Sequence, residues 1–296
     1  MIGTRTSACS LVLVLLAVSP VTGAGFEEPD DVGAEALAPR PQGEVHRLDC
    51  AGNPRALWEA EPVVQYRDGD EIHQYWILAD RPDLWSLATP EFESLGRYRE
   101  RVRRALPDTS PLGMIRSNRE RNPWLDQEYP NEDRVNRQVE AGVGRHRPMN
   151  CLESHVLAYQ AKRFPLYEQP SEVVALFVKL SETPGGSGEG DLVKVYLAAD
   201  DDPILPKPNW AVESVEADVA RGWRFAAVFH NHTFDHSPDR GLIPVAAPST
   251  NDLQVSVALE ERLGLEAILV TDGFSTLELS ADEFERLYRS VVGGKK

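Results

Sequence analysis

His230-Asn231-His232 sets two imidazoles two residues apart at the end of an apolar run, Arg224-Phe-Ala-Ala-Val-Phe229. Such a run reads as a buried strand. Successive strand side chains point to opposite faces, so His230 and His232 project from one face and can share an ion. Further on, Ala247-Pro-Ser-Thr-Asn-Asp252 precedes Leu253, Val255, Val257, Leu259 and Leu263, the spacing of a partly amphipathic helix. Asp252 then falls in the first turn of that helix, beside the strand end. Two neutral imidazoles, one carboxylate and an open position form the donor set of catalytic zinc. Zinc lowers the pKa of a bound water to roughly 7 and so supplies hydroxide at neutral pH. Hydrolysis of an amide also needs a second carboxylate, to take the water's proton and return it to the leaving amine. Glu172, at the head of the apolar run Val173 to Leu180, is the candidate, and Glu153 is its competitor.

Each of these residues has a second reading. Ser249-x-x-Asp252 is also close to a helix capping box, in which the acid sits favourably at the positive end of the helix dipole. A glutamate at a strand start can be merely solvated. Asp235, His236 and Asp239 are auxiliary ligands or parts of a polar surface loop. His146 and His155 have no ligand spacing and are expected at the surface or in caps.

An H-x-H pair, then P-S-x-x-D, with an upstream Glu opening an apolar strand, resembles the JAMM (MPN-plus) zinc metalloprotease family over about Leu152 to Val292. The resemblance implies Zn2+ held by His230, His232 and Asp252, with Glu172 as general base and Ser249 stabilising the tetrahedral oxyanion. It implies a peptidase or isopeptidase acting on peptide or protein, cell-wall peptide included. The chain departs from the family pattern where Thr233 replaces the usual Pro after the second histidine. The spacer from Thr233 to Pro248 is also longer than usual. Its extra residues are expected to form a loop at the cleft rim and to bear on substrate access. The alternative is a catalytically silent JAMM-like domain that holds a peptide or protein in its groove.

The first residues say where such chemistry would operate. Arg5, the apolar stretch Leu11 to Val18 and the small residues Thr22-Gly-Ala24 form the pattern of a secretory signal peptide, residues 1–24. Its apolar core is too short to span a bilayer. The expectation is an exported protein, periplasmic or extracellular, with no stable membrane insertion. Export would leave Cys50 and Cys151 in an oxidising compartment, as a disulfide or as two buried thiols. The formal charge of -16, from 31 basic and 47 acidic residues, argues against nucleic acid as a partner. Arg97 to Arg147 runs against this balance, with 12 Arg and 8 acids, net +4. That stretch is a salt-bridged helical face or a surface for an anionic partner.

The remaining signals outline a scaffold. Residues 25–44 are acidic and poor in large apolar groups, as in a disordered linker. Residues 45–150 read as an N-terminal extension, and residues 151–296 as the metallohydrolase domain. An Asp-Gly turn joins strands at 62–66 and 71–78. Helices are expected over 90–106, 152–164, 212–223, 251–263 and 281–291, and strands over 173–180, 192–197, 225–230, 266–271 and 274–279. Asp108 to Met149, poor in aliphatic residues, is expected to be irregular. Strands interleaved with helices and hairpins imply an α/β fold. Its sheet should be mixed, largely antiparallel and flanked by helices, as in JAMM/MPN domains, with an N-terminal α+β extension.

Overall fold

The computed structural model describes residues 43–51, 55–68, 71–87, 90–180, 191–199, 208–232, 234 and 243–292. The expected signal peptide, nearly all of the expected linker, Gly69 of the expected Asp-Gly turn, residues 181–190 and 200–207, and most of the expected rim loop, with Asp235, His236 and Asp239, lie outside the described residues. In chain order come β1 (Val45–His46), β2 (Val64–Asp68), β3 (Glu71–Ala79), α1 (Glu93–Ala105), α2 (Pro111–Arg121), α3 (Leu125–Glu128), α4 (Pro130–Glu140), β4 (Arg145–Pro148) and α5 (Cys151–Arg163). They are followed by β5 (Val173–Leu180), β6 (Leu192–Ala199), α6 (Asn209–Val219), β7 (Arg224–Asn231), α7 (Thr250–Leu263), β8 (Ala267–Thr271), β9 (Ser275–Ser280) and α8 (Ala281–Val292).

Among the described residues the strands form one mixed, largely antiparallel sheet in the order β1-β3-β6-β5-β7-β8-β9-β4, with β2 also paired to β3. Only the β1/β3 and β7/β8 pairs are parallel. β1 to β3, from the first third of the chain, thus share a sheet with the strands of its second half. Both faces of this sheet are covered. Val173, Ala175 and Phe177 of β5 enter one apolar core with α1 and α5, while Val174, Leu176 and Val178 enter another with α4, α6, α7 and α8. A strand buried on both faces carries a continuous apolar run instead of an alternating one.

Residues 108–149 correct the expectation of irregular structure. Pro111 and Pro130 each occupy a first helical position, where their missing N–H is of no consequence. Ser110 caps α2 by accepting the Gly113 N–H at 3.1 Å. Met114, Ile115, Val135 and Val139 are buried while Leu112 and Tyr129 stay exposed, so few anchors suffice. Arg119 ties α2 to α4 through Asp133 at 3.2 Å and Glu140 at 2.8 Å. The arginines are good helix formers, and their charges face solvent or acids.

His155 also departs from its expected surface position. It is fully buried in α5, packs edge-on against Phe92, and donates from Nε2 to the Asp49 carbonyl at 3.2 Å. His146, expected at the surface or in a cap, is half-buried on β4 and caps no helix. Beside His155, Cys50 and Cys151 form a disulfide that joins the segment after β1 to the first residue of α5. No helix among the described residues is long and apolar enough to cross a membrane.

Candidate metal centre

β7 delivers the histidine pair, and a bulge decides which face receives it. The register against β5 shifts between Phe177 and Val178, so that Val178 pairs with Phe225 and Phe177 with Ala227. Such an extra residue switches the facing of the side chains that follow it. Val228 accordingly joins the core under α7, and His230 and His232, at even steps beyond it, share that side. Asn231 is left on the opposite, α5 side. There it accepts the Val173 N–H at 2.9 Å and donates to the Ser171 carbonyl at 3.1 Å. Gln160 of α5 adds donations to Ser171 Oγ at 2.9 Å and to the Glu172 carbonyl at 3.3 Å. The backbone on both sides of Glu172 is therefore fixed from behind the sheet.

α7 delivers the carboxylate. Ser249 is its N-cap and accepts the Asp252 N–H at 3.1 Å, while Asp252 Oδ2 accepts the Ser249 N–H at 2.7 Å. This is the capping box that the S-x-x-D pattern also suggested. It does not withdraw Asp252 from the histidines. The same Oδ2 lies 3.3 Å from His230 Nε2 and 3.4 Å from His232 Nε2. One donor atom from each of the three residues falls within 4.8 Å of the others.

The two imidazoles are prepared differently. His232 Nδ1 faces the Val245 carbonyl at 3.0 Å, and because a carbonyl only accepts, Nδ1 carries the proton. That leaves the Nε2 lone pair of the neutral ring directed at Asp252. A metal-binding histidine is commonly oriented by such a bond through its other nitrogen. His230 Nε2 is buried and makes no hydrogen bond. A buried nitrogen that faces a carboxylate oxygen at 3.3 Å without a hydrogen bond calls for an explanation, and a cation shared by the two is one. The His230 side chain is 4 % exposed and that of His232 is 20 %, so the open side of the site lies at His232.

The electrostatics suit a dication. Burial pushes the His232 imidazolium down, but the Asp252 carboxylate outweighs it and, with Glu172, raises His232 to about 9. Burial pushes Asp252 up, yet the two histidines hold it well below the usual carboxylate range. A metal would displace the proton from this His-Asp cluster. Two imidazoles and a carboxylate converging on one point match the donor set of Zn2+.

Compared with family models, curated proteins and solved structures, the chain matches none.

The structure thus brings His230, His232, Asp252 and Ser249 together and sets Glu172, half-buried, close enough to His232 to act on its charge. Glu153 is placed otherwise. It is fully buried in the first turn of α5, and both its oxygens are held by Arg147, at 2.5 and 2.9 Å, with Asn150 and Thr276 as further donors. Such a carboxylate fastens β4, α5 and β9 together. Three residues at the site escaped sequence reasoning: Asn231, Val245 and Glu132, whose carboxylate accepts the Thr250 N–H beside Ser249 at 3.0 Å. Asn231 stood in plain view between the histidines, but its role depends on which face it takes. Val245 acts through its backbone, which carries no residue-type signal. Glu132 belongs to the segment expected to be irregular.

Proposed function

We propose that the protein is a zinc-dependent amide-bond hydrolase of the JAMM type, acting on peptide or protein substrates, cell-wall peptide included. The observation that carries this reading is the convergence of His230 Nε2, His232 Nε2 and the Asp252 carboxylate at the end of β7. Sites in α/β sheets lie characteristically at the carboxyl ends of strands, which is where β7 and β8 run parallel. Bound zinc would act as a Lewis acid and bring the pKa of water to roughly 7. Glu172, half-buried and within electrostatic reach of His232, takes the proton of the attacking water and returns it to the leaving nitrogen. Ser249 accepts the Asp252 N–H through its oxygen, so its own O–H remains a donor for the developing oxyanion. Export is part of the proposal, supported by the pattern of residues 1–24 and in keeping with the disulfide.

The capping box favours a second reading, because it accounts for Ser249 and Asp252 without any chemistry. A JAMM-like domain of that kind would hold a peptide or protein and hydrolyse nothing. Metal content decides between them. The hydrolase should purify with one zinc per chain, and His232→Ala should lose it. A chain with no zinc, unchanged by that substitution, refutes the hydrolase.

A further inference from the structure

A third carboxylate stands at the metal centre, and it comes from the first half of the chain. Glu132, in the first turn of α4, places both carboxylate oxygens against the Thr250 N–H, at 3.0 and 3.1 Å. Thr250 is the first residue of α7, and an N–H there has no acceptor within its own helix. Ser249 and Asp252 satisfy one another's amides in the capping box, and Glu132 takes the amide between them in the chain. The leading turn of α7 is thereby pinned to α4.

We propose that Glu132 is a positioning residue of the metal centre, holding the first turn of α7 so that Asp252 meets His230 and His232. The inference rests on the metal-site reading above. A half-buried acid suits the Thr250 N–H, because the helix N-terminus favours negative charge and a carboxylate makes the stronger hydrogen bond there. A cation at the site would favour that charge further. Glu132 lies near enough to be repelled by Asp252 and attracted by His232, and burial opposes its ionisation further. A dication relieves that repulsion, and a site without one bears it in full. Glu132 therefore acts twice, by aiming Asp252 through the helix end and by adding negative charge around the metal. It makes the first-half helix α4 part of the site.

The test titrates the full chain, stripped of metal, with zinc and with cobalt, for wild type, Glu132→Gln, Glu132→Ala and His232→Ala. Removing an outer partner of a metal ligand typically costs about 10- to 100-fold in affinity. Glu132→Ala should fall in that range and shift the visible absorption of bound cobalt. Glu132→Gln keeps an acceptor for Thr250 but loses the charge. It should recover most of the cobalt spectrum while binding zinc about tenfold more weakly. If Glu132→Ala does not fold, Glu132→Gln decides alone by the same weakening. Wild-type affinity and spectrum in the Glu132 variants, with His232→Ala metal-free, overturn the assignment and leave the metal site standing. A wild-type chain that binds neither ion overturns the metal reading, and with it the role of Glu132 in aiming a ligand.

Discussion

Asn231 holds Val173 across the β7/β5 pair by accepting its N–H at 2.9 Å, and its own amide reaches the Ser171 carbonyl at 3.1 Å. Asn231 therefore serves the site from behind, by fixing the chain on both sides of Glu172. Asn231→Ala should strand these buried groups and cost about 1 to 3 kcal/mol in chemical denaturation. It should keep zinc, because neither histidine moves to the other face. Loss of zinc together with stability would show that Asn231 supports the ligands and not Glu172.

The two glutamates should fail in different ways. Glu172→Gln should leave zinc and fold intact and lower turnover on a cleavable peptide by about two to four orders of magnitude, the usual worth of a positioned acid-base group. Glu153→Gln should cost stability instead, about 1 to 3 kcal/mol, because it removes one of the two carboxylates that hold Arg147, Glu278 remaining at 2.7 Å. Equal turnover in wild type and Glu172→Gln would remove Glu172 from the chemistry.

His155 makes stability depend on pH. Burial lowers its pKa to about 4, against an ordinary value near 6.5. The unfolded chain therefore binds a proton below pH 6.5 that the folded chain refuses until about 4. This contribution is fully present above 6.5 and is lost as pH falls through that window. At 1.36 kcal/mol per pH unit the loss approaches about 3 kcal/mol. Denaturation midpoints at pH 7 and pH 4.5 measure it. In His155→Gln this part of the pH dependence should vanish, and an unchanged slope would assign it elsewhere.

The disulfide closes a separation of 101 residues. The chain-entropy model gives such a loop about 4 to 5 kcal/mol of stabilisation at 25 °C. Cys50→Ser with Cys151→Ser should lower the unfolding free energy by that order and leave zinc content unchanged. Peptide mapping of the unreduced protein should find Cys50 joined to Cys151. Two alkylatable thiols would contradict the bridge.

The local elements of the second half were readable because their signals are local. The apolar run of β5, the Ser249 cap and the 3.6-residue spacing after it each act within a few residues, and the helix and strand limits agree to within a few positions. The Asp-Gly hairpin of β2 and β3 followed from turn chemistry for the same reason. Residues 108–149 misled because sparse aliphatics look like a loop until partners exist. Two prolines at helix starts and four buried apolar residues made helices of them only once α8 and the sheet supplied a surface.

His230, His232 and Asp252 were marked by residue type and spacing, and alternation along a strand put the histidines on one face. Which face that is, and what stands behind it, belonged to the tertiary structure. The bulge at Phe177/Val178 resets the alternation, and a bulge has no residue-type signature here. Glu172, at the head of an apolar run, is favoured over Glu153 by sequence, but residue type does not separate them. Packing parted them, because one met Arg147 in the interior and the other came, half-buried, within electrostatic reach of His232. Glu132, 118 residues from Thr250, had no sequence signal at all. A hydrogen bond between positions so far apart is chosen by the way helices pack, and no local propensity encodes it.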